Sequence, residues 1–195
     1  MTDFWVVCVS YIIGLFPSAY IAGRLLKGID IRKVGDRNAG AANVYRSISH
    51  IAGMAVLATD IGKGVIAILI ARAFVSQPMV FLCGIAVVAG HIWPIFLRFK
   101  GGRGLATTIG VLLALLPMAM AVLLAVCLLP FLKTRNLVIT GIIIFAPLPI
   151  LAWRLGAPGL LILYSVALPC IAGIMHLVTT RHLPKEQKKE ALYMR

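Results

Sequence analysis

One glycine-rich stretch carries the residues best suited to bind a charged ligand. It reads GHIWPIFLRFKGGRGLATT, from Gly90 to Thr108, and joins two apolar runs through a Gly-Gly-Arg-Gly turn. Glycines that lead into a helix present backbone N–H groups to an anion, and nearby Lys and Arg side chains add full charges. The spacing is not that of a Walker loop. We predict an anion site; the alternative is a plain turn that anchors the chain by its charges. The predicted site comprises Lys100, Gly101, Gly102, Arg103 and Gly104.

An earlier loop has a similar character. It reads VGDRNAGAANVYR, from Val34 to Arg46. Its small residues let the backbone approach a ligand, and successive N–H groups in such turns form anion-binding concavities. Asn38 and Asn43 supply amide donors, and Arg46 supplies a charge. The alternative, which the loop alone does not exclude, is a connection whose asparagines cap a helix.

Three ionisable residues lie inside apolar runs. His91 directly precedes the glycine turn, and an ionisable side chain at membrane depth indicates function. The alternative for His91 is a hydrogen bond to a carbonyl of a neighbouring helix. Asp60 and Lys63 are spaced i, i+3, so they share one helix face and are predicted to neutralise each other. They could equally orient the arginines of the loops.

The composition indicates an integral membrane protein. The chain has 195 residues, of which 61% are hydrophobic and 13% charged, whereas soluble domains carry about twice that charged fraction. Apolar runs of about 20 residues, long enough to span a bilayer, recur along the chain. We predict an all-α membrane helical bundle that forms a single domain over residues 1–195. The first run is not expected to be a cleaved signal, because Asp3 is the only charge before it.

The net charge of +13 has two explanations. Cytoplasmic loops of membrane proteins collect Lys and Arg, so topology alone can account for it. An anionic substrate can contribute as well, whereas nucleic acid is not an expected partner of such a chain. The four cysteines are scattered in apolar segments without a CxxC pair, so no metal site or disulfide framework is expected.

Charge also predicts the topology. Basic residues concentrate in four connections, which the positive-inside rule assigns to the cytoplasmic face. The run 105–132 separates two of them and therefore has to cross twice or not at all. As one helix it would measure about 42 Å, too long for a hydrocarbon core of about 30 Å. The apolar runs are 4–25, 51–73, 78–97, 105–132, 136–153 and 158–179, and the basic connections are 24–46, 98–103, 133–135 and 181–195.

A proline divides the long run. Pro117 lies near its middle, where proline breaks or kinks a helix. We predict two short half-spans that meet near Leu116 and are shielded by neighbouring helices. About seven transmembrane segments follow, with the N-terminus outside and the C-terminus in the cytoplasm. The alternative is a single, strongly tilted helix.

These motifs together resemble the bacterial membrane glycerol-3-phosphate acyltransferases that use acyl phosphate as donor. The first motif of that family looks like GSxNxGATNVxR and is similar to GDRNAGAANVYR at 35–46. The second, GHxxPxFxxFKGGKGVAT, is similar to GHIWPIFLRFKGGRGLAT at 90–107. The DxxKG step is present at 60–64, and the segment 14–35 also looks like the start of the family's chains.

The resemblance implies a reaction and a set of residues. Acyl transfer from acyl phosphate to the 1-hydroxyl of glycerol 3-phosphate would give lysophosphatidic acid and phosphate, at the bacterial inner membrane, without cofactor, metal, coenzyme A or acyl carrier protein. The acyl tail would lie between helices among membrane lipids. The implied catalytic residues are Lys100, Arg46, His91 and His182, with a substrate phosphate oxygen as a further candidate proton acceptor; the implied phosphate-binding residues are Asn38, Asn43, Gly101, Gly102, Arg103, Gly104 and Arg181.

The chain departs from the family pattern at three places. Asp36 replaces a small hydroxyl residue, and its carboxylate would repel a phosphate unless it is paired, for example with Arg37. Ala42 replaces a threonine. The third motif, roughly RHxxNIxRLxxGxE, is retained only at Arg181 and His182. The departures leave open a paralogue for another phosphorylated acceptor, or an impaired enzyme. Basic loops between short, broken helices would also suit a small anion transporter, and the changed third motif a non-catalytic lipid-binding subunit.

Overall fold

The fold is built almost entirely of helices. A computed structural model describes residues 2–193, so the predicted cytoplasmic cation Arg195 lies outside the described residues. Eleven α-helices and two short 3₁₀ turns make up the regular structure of the described part, which confirms the all-α prediction. The helices are α1 Thr2–Gly14, α2 Ser18–Lys27, α3 Ala41–Ser47, α4 His50–Phe74, α5 Gln77–Ile92, α6 Leu105–Leu115, α7 Pro117–Thr134, α8 Leu137–Phe145, α9 Leu148–Arg154, α10 Gly159–Thr180 and α11 Lys185–Leu192.

Length and hydropathy confirm a membrane bundle of about seven segments. Within the described residues, six helical stretches are long and apolar enough to cross a membrane, and the apolar helix α6 is shorter. Large apolar side chains are exposed on these stretches, for example Leu129, Leu163 and Ile66, as expected where lipid rather than water covers the surface. The six stretches are Thr2–Lys27, His50–Phe74, Gln77–Leu97, Pro117–Thr134, Leu137–Arg154 and Gly159–Thr180.

The long apolar run is interrupted where the sequence predicts it. Leu116 has a non-helical backbone between α6 and α7. The prediction of two short half-spans is wrong for the second of them, because α7 has 18 residues against 11 for α6. At 1.5 Å per residue these helices measure about 27 Å and 16 Å. Pro117 occupies the first turn of α7, where a missing N–H costs nothing, so the helix continues undisturbed.

Glycines let two pairs of helices pack at backbone contact. A Cβ on Gly14 of α1 would lie 2.2 Å from the carbonyl oxygen of Val87 of α5, and one on Gly110 of α6 would lie 2.0 Å from that of Ile61 of α4. Small residues allow this close approach in membrane bundles. The first contact joins α1 to α5, which carries His91. The second joins α4, which carries Lys63, to α6, which begins directly after the glycine turn.

Candidate active site

A buried carboxylate joins the two basic loops. Asp36 is 2% exposed, and its Oδ2 lies 2.9 Å from Arg103 Nη1 and 3.2 Å from Arg46 Nη2. The predicted partner, Arg37, is exposed and makes no ion pair with Asp36 among the described residues. Its backbone lies in the left-handed region at φ 57°. The prediction of an Asp36–Arg37 pair is therefore wrong.

The surroundings of Arg103 keep it in place. Its Nε donates to Thr179 Oγ1 of α10 at 3.0 Å, and its Nη2 donates to the carbonyl of Asp36 at 3.3 Å. Burial lowers the pKa of Arg103, whereas the Asp36 carboxylate raises it. The guanidinium stays charged at neutral pH because its ordinary pKa is far higher. Arg103 is thus a fixed cation that connects the first loop, the glycine turn and α10.

Arg46 keeps part of its hydrogen-bonding capacity unused. Its side chain is 11% exposed. Nη1 donates to the carbonyl of Tyr193, while Nε and Nη2 are buried without a hydrogen-bond partner among residues 2–193. The contact of Nη2 with Asp36 is an ion pair that lacks hydrogen-bond geometry. A buried guanidinium donor without an acceptor is costly, so this edge of Arg46 is suited to an anionic ligand.

The glycine turn packs on the end of α5. The N–H groups of Gly101 and Gly102 donate to the carbonyls of Ile92 and His91, at 3.0 and 3.1 Å. The prediction that these two residues present free N–H groups to an anion is therefore wrong. Gly104 adopts φ 86° immediately before α6, a conformation that favours glycine.

The Asn43 amide organises its own loop. Asn43 is fully buried, and its Nδ2 lies within 3.0 Å of the carbonyl oxygens of Ile31, Val34 and Asn38. The two hydrogens of this amide are thus used inside the loop, so the prediction of a free amide donor at Asn43 is corrected. Asn38 is half-buried, and no hydrogen bond of its side-chain amide is present among residues 2–193, so its predicted role remains a proposal.

A second polar cluster is buried beside the turn. Lys63 Nζ lies 2.8 Å from Asp60 Oδ1, which confirms the predicted pair. The same Nζ lies 2.6 Å from His91 Nδ1, and Ser18 Oγ donates to Asp60 Oδ1 at 2.8 Å. The pair therefore contacts His91 rather than the loop arginines.

The remaining predicted residues lie at exposed positions. Lys100 is exposed three residues before Arg103. Arg181 and His182 follow the C-terminal end of α10, and Arg181 Nε donates to His182 Nε2 at 2.7 Å. Because Thr179 of the same helix contacts Arg103, this end of α10 is attached to the arginine cluster.

Two hollows adjoin the buried cluster. A cavity of about 10 Å³, the size of one water molecule, is lined by His91, Tyr20 and Gly102 among others. A groove of about 660 Å³ lies beside α1 and α4, within the size range of ligand sites. Lys63 is one of its lining residues. The other residues of the groove are Ile12, Ile13, Leu15, Phe16, Pro17, Thr59, Gly62, Ile66 and Phe96.

The sequence did not indicate three of these partners. Thr179, Ser18 and the Tyr193 carbonyl lie 76, 42 and 147 residues from the groups they contact. A hydroxyl or a backbone carbonyl carries no local signal of a distant ion pair. Only the negative charge of Asp36, which is unusual in a basic loop, could have suggested that arginines lie close to it.

The fold and the site together define a class: a membrane-embedded helical enzyme whose cationic loops converge at one end of the bundle. The model of the family described as glycerol-3-phosphate acyltransferase matches residues 4–188. The chain is 41% identical over 176 residues to glycerol-3-phosphate acyltransferase 4 of Dehalococcoides mccartyi, covering 90% of this chain and 95% of that protein. It is 39% identical to a glycerol-3-phosphate acyltransferase of Desulforudis audaxviator, over 88% and 86% of the two chains. The chain belongs to the glycerol-3-phosphate acyltransferase family and is an acyltransferase.

Solved structures agree with this assignment. The crystal structure of PlsY (YgiH), an integral membrane glycerol 3-phosphate acyltransferase, in its glycerol 3-phosphate form matches with a TM-score of 0.79 and 29% identity, over 90% of this chain and 88% of that one. The lysophosphatidic acid form matches with a TM-score of 0.80 and 27% identity, over 98% of both chains. The similarity thus extends from the sequence motifs to the complete helical bundle.

Proposed function

We propose that this acyltransferase moves a fatty acyl group from acyl phosphate to the 1-hydroxyl of glycerol 3-phosphate. The hydroxyl oxygen attacks the acyl carbon, the bond from that carbon to the phosphate oxygen breaks, and lysophosphatidic acid and inorganic phosphate leave. The hydroxyl proton passes to a base, for which His91, His182 and a substrate phosphate oxygen are candidates. Acyl phosphate is already activated, so the step needs no covalent enzyme intermediate. The solved relatives in glycerol 3-phosphate and lysophosphatidic acid forms support this choice of acceptor and product.

The observation that carries the proposal is the arginine cluster. Arg46 and Arg103 share the Asp36 carboxylate, and Arg46 has buried donors without an acceptor. Both substrates carry phosphate, and the leaving phosphate gains charge as the reaction proceeds. Fixed cations stabilise that charge without reorganisation. Lys100, exposed on the same turn as Arg103, supplies a further charge on a flexible stem.

The groove beside α1 and α4 suits the acyl chain. Its lining is apolar except for Thr59 and Lys63, and α1 and α4 are both membrane-spanning stretches. A fatty chain can therefore stay in a hydrocarbon environment while its phosphate reaches the basic loops. We place these loops on the cytoplasmic face of the bacterial inner membrane, because Lys and Arg concentrate in them.

Acyl transfer by purified protein tests the proposal. With palmitoyl phosphate and glycerol 3-phosphate, we expect release of phosphate and formation of lysophosphatidic acid. Lys100→Ala and Arg46→Ala should each lower kcat/KM by about 10²–10³-fold, the usual cost of removing one such charge-stabilising group. Lys133→Ala, at an exposed lysine of α7, is the matched control and should keep the rate. Unchanged rates in both variants would contradict the assignment of Lys100 and Arg46 to the active site.

The same assay addresses the choice of acceptor. Asp36 replaces the small hydroxyl residue of the family, and its carboxylate forms ion pairs with Arg46 and Arg103 inside the site. A panel of phosphorylated polyols in place of glycerol 3-phosphate will show whether this carboxylate selects another acceptor. Membership of an acyltransferase family argues against the anion transporter. Phosphate binding without transfer to any polyol would instead indicate a non-catalytic lipid-binding protein.

A further inference from the structure

A buried polar network surrounds His91 Nδ1. Asp60 and Lys63 of α4, Ser18 of α2 and His91 of α5 are all buried, and the contacts within this set join three helices. We propose that the network holds His91 as a neutral imidazole with its proton on Nε2, so that His91 donates a hydrogen bond at the active site and does not accept the hydroxyl proton. This proposal rests on the proposed function of the site.

The contact between Lys63 and His91 determines which ring nitrogen is protonated. Lys63 Nζ lies 2.6 Å from His91 Nδ1. Asp60 Oδ1 also faces this nitrogen, but at 3.6 Å it is beyond hydrogen-bond distance. An ammonium has three donors and no acceptor, so a charged Lys63 can approach Nδ1 this closely only if that nitrogen carries no proton. A neutral imidazole with a bare Nδ1 has its proton on Nε2. The bond made by one ring nitrogen thus fixes the state of the other.

A carboxylate lies directly beside the Lys63 amine. Asp60 Oδ1 lies 2.8 Å from Lys63 Nζ, and an opposite charge at this distance favours the ammonium. Ser18 directs its hydroxyl proton to the same Oδ1, which fixes the carboxylate in turn. The carbonyl of Phe16, 3.4 Å from Nζ, accepts a further hydrogen of the ammonium. The three hydrogens of Lys63 are therefore directed to Asp60, Phe16 and His91.

The Nε2 side of the ring faces the glycine turn. A Cβ on Gly102 would lie only 2.1 Å from His91 Nε2, so only glycine leaves room for the chain there. The Gly102 N–H also donates to the His91 carbonyl. His91, Gly101 and Gly102 line the same small cavity. In this proposal, an oxygen of a ligand bound at the turn lies against the Nε2 proton.

This geometry gives His91 and Lys63 different roles. His91 donates to an acyl carbonyl or phosphate oxygen that gains negative charge in the transition state. A general base needs a bare nitrogen that faces the hydroxyl, and the bare nitrogen of His91 is covered by Lys63. Lys63 is a positioning residue that acts through His91. The hydroxyl proton then passes to His182 or to a phosphate oxygen of the substrate.

Two substitutions of His91 separate a donor from a base. Glutamine offers an amide N–H close to the position of Nε2 but is no base, whereas phenylalanine keeps the ring and offers neither. We expect His91→Gln to lower kcat by about tenfold or less, and His91→Phe to lower it by about 10²–10³-fold, the usual cost of a lost donor. Equal losses of more than about 10²-fold in both variants indicate a base and overturn the proposal.

Nitrogen NMR tests the tautomer without any activity. Full-length protein labelled with ¹⁵N-histidine in lipid nanodiscs should show His91 with a protonated Nε2 and a bare Nδ1 at pH 7, its signals being identified by their absence in His91→Gln. The double variant Asp60→Leu with Lys63→Met removes both charges together and should give a mixture of tautomers, whereas Lys133→Met should change nothing. A protonated Nδ1 in the wild type overturns the proposal. The expected spectrum without acyl transfer in any variant would instead show that the proposed function has failed.

Discussion

Asp36 sets the electrostatic balance of the candidate site. Its carboxylate is buried against Arg46 and Arg103, so it compensates two cations in the absence of substrate. A phosphate that binds to the same guanidiniums competes with this carboxylate. We therefore expect this carboxylate to stabilise the folded protein and to oppose phosphate binding at the same time.

Asp36→Asn tests both effects. Removing one partner of a buried ion pair leaves the other charge uncompensated, so we expect the free energy of unfolding to fall by about 3 kcal/mol. Added inorganic phosphate should then stabilise the variant more than it stabilises the wild type, because a dianion can replace the lost carboxylate. Thermal unfolding in detergent, with and without phosphate, measures both quantities. An equal phosphate effect in the two proteins would contradict the competition.

Asp30→Asn is the matched control, because Asp30 also pairs with a loop arginine. Arg32 Nη2 lies 2.8 Å from Asp30 Oδ2, and the Arg32 side chain is 22% exposed. Solvent screens this pair more than the Asp36 cluster, so we expect it to contribute about 1 kcal/mol. The hydrogen bonds from Arg32 hold the pKa of Asp30 below its ordinary 3.8. Its contribution is therefore complete above pH 3.8 and is lost as the pH falls through the lower folded value. At neutral pH we expect a small loss of stability and an unchanged phosphate effect.

Local spacing predicts residue contacts only where a helix fixes the geometry. The pair of Asp60 and Lys63 follows from their i, i+3 positions on one helix. The partners of Asp36 do not follow from spacing, because Arg103 lies 67 residues away and reaches Asp36 only through the packing of the helices. The adjacent Arg37 is the partner that sequence proximity suggests for Asp36. In the structure, however, Arg37 has a left-handed backbone and its side chain is exposed.

At the scale of elements, the contact between α4 and α6 determines where Lys63 lies relative to the glycine turn. A Cβ on Gly64 of α4 would lie 2.5 Å from the carbonyl oxygen of Thr107 of α6. Lys63 directly precedes Gly64, and α6 directly follows the glycine turn. The depth of this helix contact therefore sets the position of Lys63 relative to the turn that packs on His91.

Neighbouring glycines of α4 offer a matched test. Gly64→Ala forces the backbones of α4 and α6 apart, and we expect it to lower the free energy of unfolding by about 3 kcal/mol. Gly62→Ala meets no atom within 4 Å and should raise stability by up to about 1 kcal/mol through helix propensity. Thermal unfolding of the two variants measures the difference. Equal effects at both positions would show that the helix contact is not close-packed.

Helix positions could be predicted more readily than the use of individual hydrogen bonds. Pro117 marks the break in the long apolar run, because proline cannot continue a helix that precedes it. The amides of Gly101 and Gly102 were expected to face a ligand, but they close the turn against α5. Whether a loop amide faces a ligand or a carbonyl depends on the end of another helix, about which the sequence of the loop contains no information.

At the scale of the molecule, the charges are distributed unevenly between the two ends of the bundle. Apart from Lys63, Arg72 and Arg154, every Lys and Arg lies in one of the four basic connections. By the positive-inside rule, we expect these connections to lie in the cytoplasm. The break at Leu116 allows the run 105–132 to leave and return to the same face, as that placement requires. A single tilted helix would put the last basic connections on the opposite face.

Cysteine labelling distinguishes these topologies. In a variant without the four native cysteines, single cysteines at Lys33 and Lys189 should be protected from a membrane-impermeant maleimide in intact cells and labelled in inverted vesicles. Cysteines at Ser76 and Arg154 should show the opposite pattern; all four positions are exposed in the structure. If the cysteine at position 189 is labelled from outside while the cysteine at position 33 is protected, the run 105–132 crosses only once. Because Arg103 contacts Thr179 near the end of α10, that result would also separate two groups that the proposed site requires on one side of the membrane.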